Sequence, residues 1–377
     1  MESYVNILKV EKKNNSFLAF SKDSVFYPDG KGGQLGDRGM IGPAKVLKVF
    51  QKEDFYVCEI DKPIAPGKHQ VVIDIRRQKF IAQHHTGQHI LSASLIEIAD
   101  IPTVSFHMGE DYSTIDLDIP FIVDSVLKEV EDKSNELIQA CIPVEILTLN
   151  KEDANKLPLR KRISEKVKEP IRIVKIDNFD YSPCGGYHVK NTGEIGLIKI
   201  LKTEKVKGNL TRLYFVAGNK ALEYFYEYNR ILRKLSQTLT SSISELIPRT
   251  EKLLSDVKTL SAKIDALSEE IAKTIAKDLA PYSSENIFFC ETNETVARFI
   301  PKHFGKKDSL LIIFDGNKYH FTSTNTKMFK CGKIIRNIVE NFGGKGGGND
   351  FKGTYIFSKT IHANHLIDFI KEHTIRR

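Results

Sequence analysis

"RRQKFIAQHHTGQHILSASLIEIA", residues 76–99, is the stretch on which the fold class turns. Phe80, Ile81, His85, Ile90, Leu91, Leu95 and Ile98 recur at mixed threes and fours, a helical period rather than the alternation of a strand. The sequence before it is different. "NSFLAF", "AKVLKVFQKEDFYVCEI" and "HQVVIDI" carry alternating or β-branched apolar runs, separated by the turn-forming segments "PDGKGGQLGDRGMIGP" and "KPIAPGKH". Residues 1–75 therefore predict a small barrel or sandwich. Beyond the helix, "TVSFHMGEDYSTIDLDI" returns to strand, and "VDSVLKEVEDKSNELIQAC" is an amphipathic helix with Val126, Val130, Leu137 and Ile138 facing one way. "IRIVKI", "GEIGLIKILKTEKV" and "NLTRLYFVAG" are further strands. Helices that interrupt an irregular series of strands predict an α+β fold, not a βαβ array.

The same stretch carries chemistry. His85 and His89 stand at i and i+4, which on a helix places their Cβ atoms roughly 6 Å apart on one face. His84 points about 100° away by helix geometry, and position 88, where its own partner would stand, is Gln88. A hundred residues on, "PCGGYHV" (183–189) supplies Cys184 and His188, and Gly185 and Gly186 place that pair on a turn. Either pair alone is a common coincidence. Together in one globular segment they give three imidazoles and a thiol, a donor set typical of zinc. Four protein ligands describe a closed, structural zinc, whereas catalytic zinc keeps an open position, and both readings stand at this point.

The chain of 377 residues is long enough for two or three domains, and 41% hydrophobic residues suffice for a core in each. No apolar run reaches the length of a membrane span, and "MESYVNILKVEKKNNSF" lacks the layout of a signal peptide, so a cytoplasmic protein without a membrane partner is expected. The five cysteines are scattered and odd in number, which is not a disulfide framework, and Cys58 and Cys141 read as core filler. A net charge of +8 suits a polyanionic partner such as nucleic acid. After Gly218 the composition changes to a helical run almost without glycine. Leu253, Val257, Leu260, Ile264, Leu267 and Ile271 form a heptad seam, preceded by a similar stripe at Leu232, Leu235, Leu239, Ile243 and Leu246. Pro248 is expected to break the run into a helical hairpin over 216–284. The seam closes within the chain or against a second copy as a homodimer; heptads do not say which. Residues 285–377 read as a small α/β unit, with a helix ending in the glycine-rich loop "GGKGGGND".

"FYPDGKGGQLGDRG", "HHTGQH", "CGGYHVKNTGEIGLIKI" and "GGKGGG" occur in that order, and the chain thereby resembles the free-standing AlaX proteins of the alanyl-tRNA synthetase editing family, in their long form. The resemblance implies a glycine-rich β-barrel at 1–75, a zinc-binding editing domain at 76–215, a helical segment at 216–284 and a tRNA-binding domain at 285–377. It implies hydrolysis of the ester that joins serine or glycine to tRNA for alanine, without a synthesis domain. One zinc ion per chain would be held by His85, His89, Cys184 and His188, with Asp180 orienting a ligand or a water and counted with those four as catalytic. Gly32, Gly33, Gln34 and Tyr187 would contact substrate. Gly343, Gly344, Lys345, Gly346, Gly347 and Gly348 would contact tRNA, with Lys330, Lys333 and Arg336 extending a basic face. Two departures stand out: Tyr187 occupies a position where the family has threonine, and Phe106 one where related domains carry glutamine. The alternatives are a tRNA-binding protein with structural zinc, or a hydrolase for another mischarged tRNA.

Overall fold

A computed structural model describes residues 3–23, 25–165, 167–282, 286–358 and 361–374. The chain divides into two compact units, Met1–Lys234 and Leu235–Arg377. The first opens with strands β1 (Ser3–Ile7), β2 (Lys9–Lys13), β3 (Ser16–Ser21), β4 (Gly39–Ile41), β5 (Ala44–Lys52), β6 (Phe55–Ile60) and β7 (Gly67–Ile73). They form one antiparallel sheet in the order β1-β7-β4-β5-β6-β3-β2. β1 and β2 lie at opposite edges although Leu8 alone separates them, so the sheet must curl until its edges meet at that residue. It is an open, curled sheet, not the closed barrel expected from the sequence. One N-terminal segment supplies both edges, Ser3–Ile7 pairing with β7 and Lys9–Lys13 with β3, so the edges are joined by the chain and not by a ladder. Val5, Ile7, Ala19, Ile41, Val49 and Ile60 fill its interior.

Helix α1 (Ile75–Ala99) starts where the Asp74 side chain accepts from the Arg77 amide, and stops at Asp100 in the left-handed region at φ 52°. Every residue from Ile81 to Leu95 is buried. A helix enclosed on all sides cannot sort polar from apolar by face, and its polar side chains need partners inside the protein. Around it stand β8 (Thr103–Met108), β9 (Ser113–Leu117), α2 (Asp124–Gln139), β10 (Val144–Leu149), a short α3 (Lys151–Asn155), β11 (Ile171–Ile176), β12 (Asp180–Pro183), β13 (Ile198–Lys205) and β14 (Thr211–Ala217). These strands make a four-stranded sheet, β13-β14-β9-β8, and a three-stranded one, β10-β11-β12. Ile90, Leu91 and Leu95 share a core with Ile115, Val130, Val174, Ile198 and Phe215, each such side chain contributing about 1.5–3 kcal/mol. Of the two cysteines read as filler, Cys58 is buried but Cys141 is exposed, because the chain turns outward there at φ 54° just after α2.

Helix α4 (Asn219–Leu239) ends in a break at Thr240, with φ 48°, and α5 (Leu246–Asp278) follows. Pro248 does not make the break. It lies in the first turn of α5, where a helix has no use for the missing N–H. The six seam residues from Leu253 to Ile271 are all exposed, and the boundary expected at 284–285 lies outside the described residues.

In the second unit β15 (Ile287–Glu291) runs parallel to β16 (Leu310–Phe314), with short helices α6 (Glu294–Ala297) and α7 (Ile300–His303) between them. β17 (Tyr319–Ser323), α8 (Cys331–Phe342), β18 (Lys345–Gly348), β19 (Lys352–Ile356) and α9 (Ala363–Thr374) complete a sheet in the order β15-β16-β17-β19-β18. The glycine-rich segment expected as a loop is therefore an edge strand paired with β19. A Cβ on Gly346 would lie 2.7 Å from Ile335 Cγ2 of α8, so the missing side chain lets helix and hairpin pack closely. Among the described residues no helix is long and apolar enough to cross a membrane.

Candidate metal centre and its cavity

α1 presents His85 and His89 one turn apart, and the turn after β12 brings Cys184 and His188 to the same point. The four ligand atoms lie within 4.8 Å of one another. Cys184 Sγ is 3.4 Å from His85 Nε2 and 3.3 Å from His188 Nε2. Each imidazole is anchored through its other nitrogen: His85 Nδ1 to Gln34 Oε1 at 2.8 Å, His89 Nδ1 to Asp180 Oδ2 at 3.0 Å, and His188 Nδ1 to Thr86 Oγ1 at 3.1 Å. With Nδ1–H donating outward, Nε2 is left as the ligand atom, the arrangement a metal-binding histidine needs.

The electrostatics agree at three of the four donors; at His89 burial lowers the ring, but Asp180 and Cys184 outweigh it and raise it. Burial raises the Cys184 thiol, but hydrogen bonds from His188, His85 and His89 outweigh it and hold the group far below its ordinary range, as a thiolate. Burial pushes His188 down to about 3 and lowers His85 as well, keeping both rings neutral. One thiolate and three imidazole nitrogens, each ring braced from behind, fit a zinc ion.

The CGG turn is shaped by what crosses it. A Cβ on Gly186 would lie 2.2 Å from His85 Cε1 and 2.4 Å from Gln34 Oε1, so no other residue fits. Arg172 on β11 donates through Nη1 to the carbonyls of Cys184, at 2.6 Å, and Gly186, at 3.0 Å. Asp180 is fully buried; its second oxygen accepts from Arg160 Nε at 2.7 Å and Ser182 Oγ at 3.0 Å. Burial raises its carboxyl, but His89 and Arg160 outweigh that and hold it below the usual carboxylate range.

A cavity of about 160 Å³ opens over three of the four donors, His85, His89 and Cys184. Phe106, Gln88 and Arg160 form part of its wall, and the Phe106 ring stacks on His85 at 5.4 Å.

Residues 171–214, which include Asp180, Cys184 and His188, match the family described as the threonyl and alanyl tRNA synthetase second additional domain. Over 366 residues the chain is 31% identical to the alanyl-tRNA editing protein AlaX-L of Pyrococcus horikoshii, spanning 91% of this chain and 89% of that one. The chain belongs to the AlaX family of alanyl-tRNA editing proteins. It is also 31% identical over 322 residues to the alanyl-tRNA editing protein Aarsd1-A of Xenopus laevis, covering 82% of this chain and 78% of that protein. An alanine–tRNA ligase of Acetivibrio thermocellus is 27% identical over 285 residues, 71% of this chain but 32% of the ligase.

In this AlaX-family chain the residues expected to touch substrate divide. Gly32 lines the cavity. Gly33 packs on Phe106, where a Cβ would lie 3.1 Å from Cδ1. Gln34 reaches behind the centre, its Oε1 accepting from the Tyr187 amide at 2.9 Å as well as from His85. Tyr187 turns away: its hydroxyl donates to Asp37 Oδ2 at 3.0 Å, its ring packs on Tyr27 at 5.2 Å, and burial raises its pKa. His84, read as the spare histidine, is a core residue with Nδ1 at Phe80 O and Nε2 accepting from the Ala217 amide. Gly343 through Gly348 belong to the second unit, where a separate cavity of about 240 Å³ is lined by Lys327, Lys330, Lys333, Asn337 and His373. Sequence reasoning missed Thr86, Gln88, Arg160 and Arg172. The first two stood between the histidines of "HHTGQH", a usable signal; the two arginines carried none.

Proposed function

We propose that the chain is an aminoacyl-tRNA deacylase that hydrolyses serine or glycine mis-attached to tRNA for alanine, with zinc at His85, His89, Cys184 and His188. The observation that carries this reading is a small cavity floored by braced metal ligands, in a chain of an alanyl-tRNA editing family. Zinc held by those four residues would supply a Lewis acid beside the ester and would lower the pKa of water. The remaining work belongs to the chain. Gln34, Asp180 and Thr86 fix the three imidazoles, and Arg172 holds the turn that carries Cys184. Phe106 walls the cavity, Arg160 is held there by Asp180, and the Lys161 cation that also lines it suits a phosphate of an incoming acceptor end. Water adds to the carbonyl carbon, the bond to the terminal ribose oxygen breaks, and that oxygen leaves as a hydroxyl carrying the proton the water gives up.

In the same reading residues 1–75 support the centre, 76–215 carry out the editing, and 285–377, with Gly343–Gly348 and Lys345, bind the body of the tRNA. Residues 216–284 pair two copies through the exposed seam, and the protein acts in the cytoplasm. A second reading is favoured by the number of ligands: four protein donors suit a structural zinc in a tRNA-binding protein without hydrolysis. Cys184→Ala separates the two. Lost deacylation with tRNA binding and melting retained supports the enzyme; loss of the fold supports the structural ion.

A further inference from the structure

The middle of α1 is buried, and its polar side chains are paired off one by one. Gln83 donates to Glu194 O at 2.8 Å, Thr86 accepts from the Val189 amide at 3.1 Å, and Ser94 meets Ser134 Oγ at 3.2 Å. Gln88 differs in facing the cavity, which Gln83 does not line. It is 5% exposed, and its Nε2 donates to Ser92 Oγ at 2.7 Å, which in turn meets Thr103 Oγ1 at 2.8 Å. Its Oε1 has no hydrogen-bond partner among the described residues, yet the residue lines the cavity beside His85, His89 and Cys184.

An editing site faces a particular problem of size. Alanine, the amino acid it must spare, is smaller than serine, so no steric wall that admits serine can refuse alanine. Discrimination has to come from a group that pairs with the serine hydroxyl and is left unpaired by a methyl. The cavity offers few such groups. Phe106 is apolar, His85, His89 and Cys184 are the candidate metal donors, the Ser182 proton and Arg160 are committed to Asp180, and Lys161, the other polar lining residue, is a cation that offers donors and no acceptor. We propose that Gln88 is the specificity-determining residue of this site, its Oε1 accepting a hydrogen bond from the serine hydroxyl of the mis-acylated tRNA. The assignment rests on the editing function proposed above.

The test is Gln88→Met, close in size and without an amide, with Gln88→Asn as a second variant that withdraws the amide by one methylene. Single-turnover deacylation of Ser-, Gly- and Ala-tRNA for alanine is measured alongside zinc content and melting temperature. The expected result is an about 10- to 100-fold loss of kcat/KM on the serine ester in both variants. Glycine, which has no hydroxyl to lose, stays within about threefold, and the preference for serine over alanine narrows by the serine factor. Equal losses on serine and glycine, or an unchanged serine rate, overturn the assignment. If one variant does not fold, the other carries the comparison. Inertness of the wild-type protein on all three esters overturns the editing function itself, and shows before any variant is made.

Discussion

Gln34→Ala tests how much of the metal centre is built by a loop some fifty residues away in sequence. Gln34 Oε1 accepts from His85 Nδ1 at 2.8 Å and from the Tyr187 amide at 2.9 Å. Both Gln34 and His85 are 2% exposed, so bulk water does not stand ready to replace the lost acceptor. Truncation leaves a buried imidazole N–H without a partner and frees the ring to rotate its Nε2 away from Cys184. Loss of such an outer partner weakens metal binding by about 10- to 100-fold, equivalent to about 1.4–2.7 kcal/mol at 25 °C. The assay is competition between the full-length protein and a chromogenic zinc chelator, with thermal melting of the metal-free protein as the control for folding. Gln34→Glu keeps an acceptor at the same reach and should recover most of the affinity. Zinc affinity of Gln34→Ala within twofold of wild type, with a raised KM instead, refutes the argument and returns Gln34 to the substrate pocket.

Three further outcomes are expected. Asp180→Asn leaves Arg160, whose side chain is 8% exposed, without its counter-charge, and should cost about 3 kcal/mol in denaturant melts; adding Arg160→Met should recover part of that, and purely additive losses would contradict a coupled pair. Asp29 accepts from Arg38, Gly36 and Val49, and although burial raises its carboxyl, Arg38 and the two amides hold it below the usual range. Its stabilisation is therefore present above the unfolded value of about 3.9 and lost as pH falls through the folded one. Asp29→Asn should cost about 2 kcal/mol at neutral pH, with the gap to wild type closing below about pH 4; a gap constant with pH would refute the sign. Finally, Val257→Lys with Ile264→Lys should convert a dimer to a monomer in sedimentation velocity, while a wild-type chain that is already monomeric removes the pairing role of the seam.

The parts of the site that were legible in the sequence are those fixed by local spacing. His85 and His89 are one turn apart, and Cys184 and His188 flank a two-glycine turn, so each pair converges whatever the rest of the chain does. That the two pairs meet depends on β11 and β12 carrying Cys184 back over α1, which the apolar run "IRIVKI" suggested but did not specify. The braces were illegible for the same reason: Gln34, Arg160 and Arg172 reach the centre from three separate segments, and none sits at a distinctive spacing. The barrel expectation failed on connectivity, since alternating strands look alike whether the edges close by a ladder or through Leu8. The glycine run at 346–348 forms a strand and not a loop because Gly346 packs on the neighbouring helix, where Ile335 takes the space a side chain would need.

The most direct measurement of the central claim is to incubate the full-length protein with Ser-, Gly- and Ala-tRNA for alanine, with and without a zinc chelator, and to follow release of the amino acid. The account predicts release of serine or glycine but not alanine, abolished by the chelator and restored by zinc. Inertness on all three esters, or hydrolysis that survives complete removal of the metal, would contradict it.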